Sequence, residues 1–162
     1  MDDSQTVTRE LVGKQESAAQ EVRAKPFSDI FRESLEEQFA SLSEASEKTG
    51  VSLSVLTRYK NGTRSLRLDT VEKVWPHLGI RLEPPSFAET VRTQGLQKAV
   101  IEMVQSLALP DLELARRCGL NQPTLWRFLH GKNVIKLEAM SKLWAVLPIR
   151  AYRGKRRIDL IQ

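Results

Sequence analysis

Between Lys48 and Leu68 the chain carries Lys48, Arg58, Lys60, Arg64 and Arg67 and not one carboxylate, while Glu33, Glu36, Glu37, Glu44 and Glu47 all precede them. Cations grouped without acids attract polyanions and donate hydrogen bonds to their oxygens. The 162 residues have a formal net charge of +5, and the excess is uneven: residues 85–162 hold thirteen Lys/Arg against six Asp/Glu. Covalent and metal chemistry is poorly provided for. One cysteine, Cys118, makes no internal disulfide, and with only His77 and His130 beside it the chain cannot assemble a zinc site of the Cys/His kind. No Ser/His/Asp or Cys/His set lies at a useful spacing, and no glycine loop is shaped to cradle a phosphate. The expectation is a binding protein with no catalytic residues, no metal and no cofactor, in which Cys118 packs in a core.

The cations must be positioned by helices, because apolar residues recur at helical spacing almost throughout. Phe27, Ile30, Phe31, Leu35 and Phe39 mark a first amphipathic helix opened by Pro26. Ser41 and Glu44 make a capping box for a short second helix that Gly50 closes. Ser52 caps a third, through Lys60, and Gly62 ends it. Leu68, Val71, Val74, Trp75 and Leu78 define a fourth, which Pro76 distorts or ends early. Residues 81–94, "RLEPPSFAETVRTQ", contain two prolines and no convincing strand, and read as a connector with a short helix from Ser86 to Thr93. Such a connector reaches roughly 46 Å if extended and about 21 Å if helical.

The same pattern then returns. A shift of 69 residues superposes Glu113 on Glu44, Gly119 on Gly50, Leu125 on Leu56, Arg127 on Arg58, Gly131 on Gly62, Leu137 on Leu68 and Trp144 on Trp75. Apolar matches alone arise between any two amphipathic helices; glycines at both ends of the third helix, with Arg and Trp in register, mark an internal repeat. Leu96, Val100, Met103, Val104 and Leu107 supply the second copy of the first helix.

The order of short helix, glycine turn, capped helix, "NG" or "HG" and amphipathic fourth helix resembles the lambda-repressor-like family, the Cro/CI or XRE-type helix-turn-helix domains. "ARRCGLNQPTLWRFLHGK" is similar to that family's core motif, and "ASEKTGVSLSVLTRYKNGTRSL" is similar with Ser46 where the family usually has Ala. The resemblance covers about residues 27–80 and 96–149. It implies two tandem four- to five-helix domains that place their third helices in the DNA major groove. The positions matching the family's reading face are Leu53, Ser54, Thr57 and Arg58 in the first repeat, and Gln122, Pro123, Trp126 and Arg127 in the second. Gln122 suits a bidentate pair to adenine and Arg127 one to guanine, each worth about 1–3 kcal/mol of discrimination. Trp126 is either a sugar and methyl contact or an aromatic awaiting a protein. Phosphate contacts fall to Ser52, Lys60, Arg64 and Arg67, and to Asn121, Lys132 and Lys136.

The expected fold is therefore all-α, with a mobile arm over 1–25, a first helix-turn-helix domain over 26–84, a connector over 85–94, a second domain over 95–150 and a basic tail over 151–162. The tail is either a small β-ribbon about Gly154 or disordered; "YRGKRR" within it either adds DNA contacts or is solvated. The expected function is that of a sequence-specific, double-stranded-DNA-binding transcriptional regulator, a repressor occupying two unlike half-sites. The other reading is a protein-interaction adaptor or antitoxin-like factor. Whether a second copy of the chain or another protein joins it stays open, no small-molecule ligand is evident, and no apolar run suggests a membrane span. The acidic, polar N-terminus is unlike a secretory signal, so the expected location is the cytoplasm.

Overall fold

The computed structural model describes residues 23–161. The chain is mostly helical, with two small antiparallel sheets. Strand β1 (Arg23–Ala24) leads into α1 (Phe27–Gln38), α2 (Leu42–Thr49), α3 (Leu53–Lys60) and α4 (Leu68–Val74), which ends in a 3-10 turn at Trp75–His77. Strand β2 (Arg81–Glu83) and α5 (Pro85–Gln94) follow. Then come α6 (Leu96–Ser106), α7 (Asp111–Cys118), α8 (Gln122–Leu129), α9 (Leu137–Trp144), β3 (Arg150–Arg153), β4 (Arg156–Arg157) and β5 (Leu160–Ile161). Helices α6, α7, α8 and α9 each begin 69 residues after α1, α2, α3 and α4, and β3 begins 69 residues after β2. No helix among the described residues is long and apolar enough to cross a membrane.

Local chemistry sets the boundaries. Ser41 Oγ accepts the Glu44 N–H at 3.1 Å, and the Glu44 carboxylate accepts the N–H of Ala40, one residue further back than a capping box requires. The Lys48 ammonium at 2.9 Å, and after it the Ala40 N–H, hold the Glu44 carboxyl below its ordinary pKa. Gly50 and Gly119 end α2 and α7 in left-handed conformations, at φ 77° and 71°, that a side chain would strain. Ser52 Oγ and Asn121 Oδ1 cap α3 and α8 from equivalent positions, accepting the N–H groups of Val55 and Thr124. Cys118 is buried, and desolvation pushes its thiol pKa up, as suits a packing residue.

The two halves are docked against one another through matching residues. Arg67 lies opposite Lys136 in an isolated antiparallel bridge, closed by Leu68 N–H to Ile135 O and Leu137 N–H to Leu66 O, both 2.8 Å. Trp75 meets Trp144 with ring centroids 6.5 Å apart. In the sheet ordered β2-β3-β4, Leu82 pairs with Ala151, flanked by Arg81 with Tyr152 and Glu83 with Arg150. At each level residue n faces residue n+69, the pattern an approximate two-fold axis produces. Helix α1 packs on α9 and α6 on α4, and the backbone N–H at the start of each is bonded from across the axis: Ser28 N–H to Ser141 Oγ, Gln97 N–H to Glu72 Oε1. Phe27 stacks on Trp75 at 5.3 Å and lies tilted against Trp144 at 4.7 Å, so one continuous core contains residues of both halves.

Two sequence expectations are corrected here, and one alternative is decided. Residues 81–94 are not a strandless connector: Arg81–Glu83 form β2, whose inward Leu82 is buried against Ala151, and α5 packs Phe87 edge-on to Trp144 at 6.2 Å. The chain between the repeats is thus part of the packed body, and its free reach does not set their separation. Residues 23–25 do not belong to a mobile arm, because Arg23–Ala24 pair with β5 and Lys25 N–H donates to Asp159 O at 2.8 Å; residues 1–22 of the expected arm lie outside the described residues. The basic tail takes the ribbon alternative, with Tyr152–Arg153 against Arg156–Arg157 about Gly154. Its guanidinium groups are engaged: Arg153 and Arg156 pair with Glu37, and Arg157 pairs with Asp159.

Candidate nucleic-acid interface

Helices α3 and α8 are each two turns long, and each buries one stripe. Leu56 in α3, and Leu125 and Phe128 in α8, are fully enclosed, while Tyr59 is half-buried with its ring edge-on to Phe31 at 5.9 Å. Burial pushes the Tyr59 phenol up to about 12. Leu56, Tyr59, Leu125 and Phe128 are therefore core, as their spacing implies.

The opposite stripes are open. Leu53, Ser54 and Arg58 are exposed and Thr57 is partly so; Gln122, Pro123, Trp126 and Arg127 are all exposed. The sequence-derived reading faces are thus contiguous in space within each helix. Between helices they differ in chemistry. The α8 face presents an amide and a guanidinium, both able to form two parallel hydrogen bonds, whereas the α3 face presents one guanidinium, two hydroxyls and a leucine that is 44% exposed. Arg58 and Arg127 make no ion pair among the described residues, so their five donors each are uncommitted.

Trp126 has a neighbour that the spacing did not bring out. The His130 ring stacks on the indole at 4.1 Å, and its Nδ1–H donates to the Trp126 carbonyl at 2.8 Å. An aromatic that is 44% exposed is thereby fixed in orientation instead of sweeping solvent. The signal available in sequence was the four-residue spacing of an aromatic and a histidine on one helix face.

The candidate phosphate ligands lie beside these faces. Ser52 and Asn121 are exposed at the helix N-termini, where their side chains serve as caps, and Lys60, Arg64, Lys132 and Lys136 are exposed around the segments that follow α3 and α8. Thr63 N–H donates to Arg58 O at 3.0 Å and Lys132 N–H to Arg127 O at 2.7 Å, so both segments leave their helices in the same conformation. Arg67 is 3.2 Å from Asp69 and remains mostly exposed.

Comparison with protein-family models, with curated proteins and with solved structures gives no match for this chain.

Proposed function

We propose that the chain is a sequence-specific double-stranded-DNA-binding regulator built from two lambda-repressor-like helix-turn-helix units, with α3 and α8 as its reading helices. The observation that carries this reading is the 69-residue self-pairing. It relates α3 and α8 by an approximate two-fold axis, the relation that paired helix-turn-helix readers of successive major grooves ordinarily have. Helix-turn-helix proteins ordinarily obtain it from two chains; here one chain supplies both. Arg127 and Gln122 read one half-site, Arg58 with Leu53, Ser54 and Thr57 reads the other, and the flanking cations hold the phosphates. The unlike faces call for unlike half-sites, and occupying an operator is the simplest way for such a chain to act as a repressor.

The test is selection of the intact chain on randomised duplex DNA, beside its Arg58→Ala and Arg127→Ala variants. Two unlike blocks, each blurred by one substitution, are expected. The protein-adaptor reading has one observation in its favour, the exposure of Leu53, Leu112 and Trp126. It requires salt-insensitive capture of a protein and no duplex binding, whereas DNA binding through phosphates weakens steeply with salt.

A further inference from the structure

The basic hairpin of the second half lies against α1 of the first half and leaves a recess of about 200 Å³ beside it. Four cations line the recess: Lys25, just ahead of α1, and Arg153, Arg156 and Arg157 from β3 and β4. Three carboxylates answer them. Glu33 takes Lys25 at 2.9 Å and Asp159 takes Arg157 at 2.7 Å, one for one. Glu37 is shared by Arg153 and Arg156, so one positive charge is left over among the described residues.

The surplus falls on Arg153. Its Nη1 donates to Glu37, while its Nε and Nη2 are shut off from solvent and have no hydrogen-bond partner. Buried donors left unpaired are costly, and native proteins rarely keep them without a water or an ion to accept the bonds. The Nε–Nη2 edge of a guanidinium presents two parallel N–H groups, the fork that holds two oxygens of one oxyanion. Arg157 uses that same edge on Asp159, with Nε and Nη2 at 2.7 and 3.2 Å from the two carboxylate oxygens. Arg153 has the edge without the carboxylate. Burial, and after it the Arg156 charge, lower the Arg153 pKa, yet a guanidinium stays charged at any ordinary pH. The buried Ile30 and Ile158 also line the recess, and an ion seated beside them is bound more strongly than it is on an open surface.

We propose that this recess binds a small oxyanion, inorganic phosphate or the phosphate group of a small monoester, held side-on by the Arg153 fork with Arg156 and Lys25 beside it. The bound ion would fasten the hairpin of the second half to α1 of the first. The inference is independent of the DNA-binding reading. A duplex phosphodiester is a poor occupant, because the Arg153 side chain is only 20% exposed and the backbone of a rigid duplex stays on the protein surface.

Isothermal titration of the full chain with inorganic phosphate, and separately with glycerol phosphate, tests the site at an ionic strength held constant with sodium chloride. Saturable one-site binding of at least one of the two is expected, and the tighter one tells whether free phosphate or an ester is the source. At about ten times the dissociation constant the unfolding midpoint should rise by about 4 °C. Arg153→Lys keeps a cation but removes the fork, and is expected to weaken binding about tenfold, the loss that goes with one hydrogen bond to a charged group. Arg156→Ala, at a mostly exposed side chain, should also weaken it, while Arg116→Ala on α7 leaves it unchanged. Phosphate stabilises proteins in general by exclusion from their surface, an effect that does not saturate. A midpoint that climbs without saturation and equally in wild type and Arg156→Ala therefore overturns the inference, as does the absence of saturable heat with both probes. A folded Arg153→Lys chain that binds as tightly as wild type overturns it as well; if that variant does not fold, Arg156→Ala supplies the comparison. Duplex binding weakened by Arg156→Ala, with neither probe bound, assigns these cations to DNA and overturns it too.

Discussion

Arg58 and Arg127 hold equivalent positions on α3 and α8, each exposed and outside the described ion pairs, yet their surroundings differ. Arg127 shares its face with Gln122, and Arg58 shares its face with Leu53. Replacing Arg127 with Ala is expected to cost about 1–3 kcal/mol of specific binding and to relax preference at one base pair of one half-site; Arg58→Ala should do the same in the other half. Equilibrium binding to single-base variants of the selected site measures both. Lys60→Ala or Lys132→Ala should instead weaken all duplexes alike and reduce the salt slope by about one, which titration over a range of salt concentrations reads directly. Tyr59 yields a pH prediction. Its phenol, raised to about 12 by burial, keeps its proton in the folded state through a range where an unfolded tyrosine loses it at about 10. Between those values the unfolded chain binds fewer protons, so this contribution, fully present below pH 10, is lost as pH rises toward 12. Chemical denaturation of Tyr59→Phe across that range should show a shallower alkaline fall than the wild-type chain.

At the scale of elements, the helices that were legible in sequence are those whose signals are local. Ser41, Ser52 and Gly50 sit within a few residues of the ends they define, and the third and fourth helices start where their caps and apolar spacing put them. The bonds at the starts of α1 and α6 were not legible, because Ser141 and Glu72 lie 113 and 25 residues away along the chain. Nor was β2. Three residues before two prolines show no alternation, and their partner strand lies 69 positions on. Reading faces survive this limitation, since a two-turn helix with a buried Leu56 or Leu125 has only one side left to present. The cross-axis bonds carry their own prediction. Ser141→Ala removes the acceptor for Ser28 N–H and should lower the unfolding free energy by about 1 kcal/mol, as loss of a helix cap does, with duplex binding falling in parallel if docking of the halves aligns the readers. Denaturant titration beside binding to the intact site tests both parts.

For the molecule as a whole, the sequence suggested two tethered bodies, and the structure has one core. Phe27 of the first half lies against Trp75 of its own half and Trp144 of the other, and β2 of the first half shares a sheet with β3 of the second. Unfolding is expected in a single cooperative transition, with coincident curves from tryptophan fluorescence and far-ultraviolet circular dichroism; two separated transitions would contradict it. The pairing of Leu82 with Ala151 has a further consequence. In an assembly of two identical chains, each residue on the axis must fit a copy of itself, so large meets large or small meets small. Trp75 and Trp144 still meet as like with like, but here a large side chain meets a small one, so at this level the halves are complementary instead of self-complementary. They are no longer interchangeable: a chain made of two first halves would set leucine against leucine in a space filled by leucine and alanine. A pair that cannot be turned end for end has a front and a back, and under the proposed DNA-binding function it would distinguish upstream from downstream.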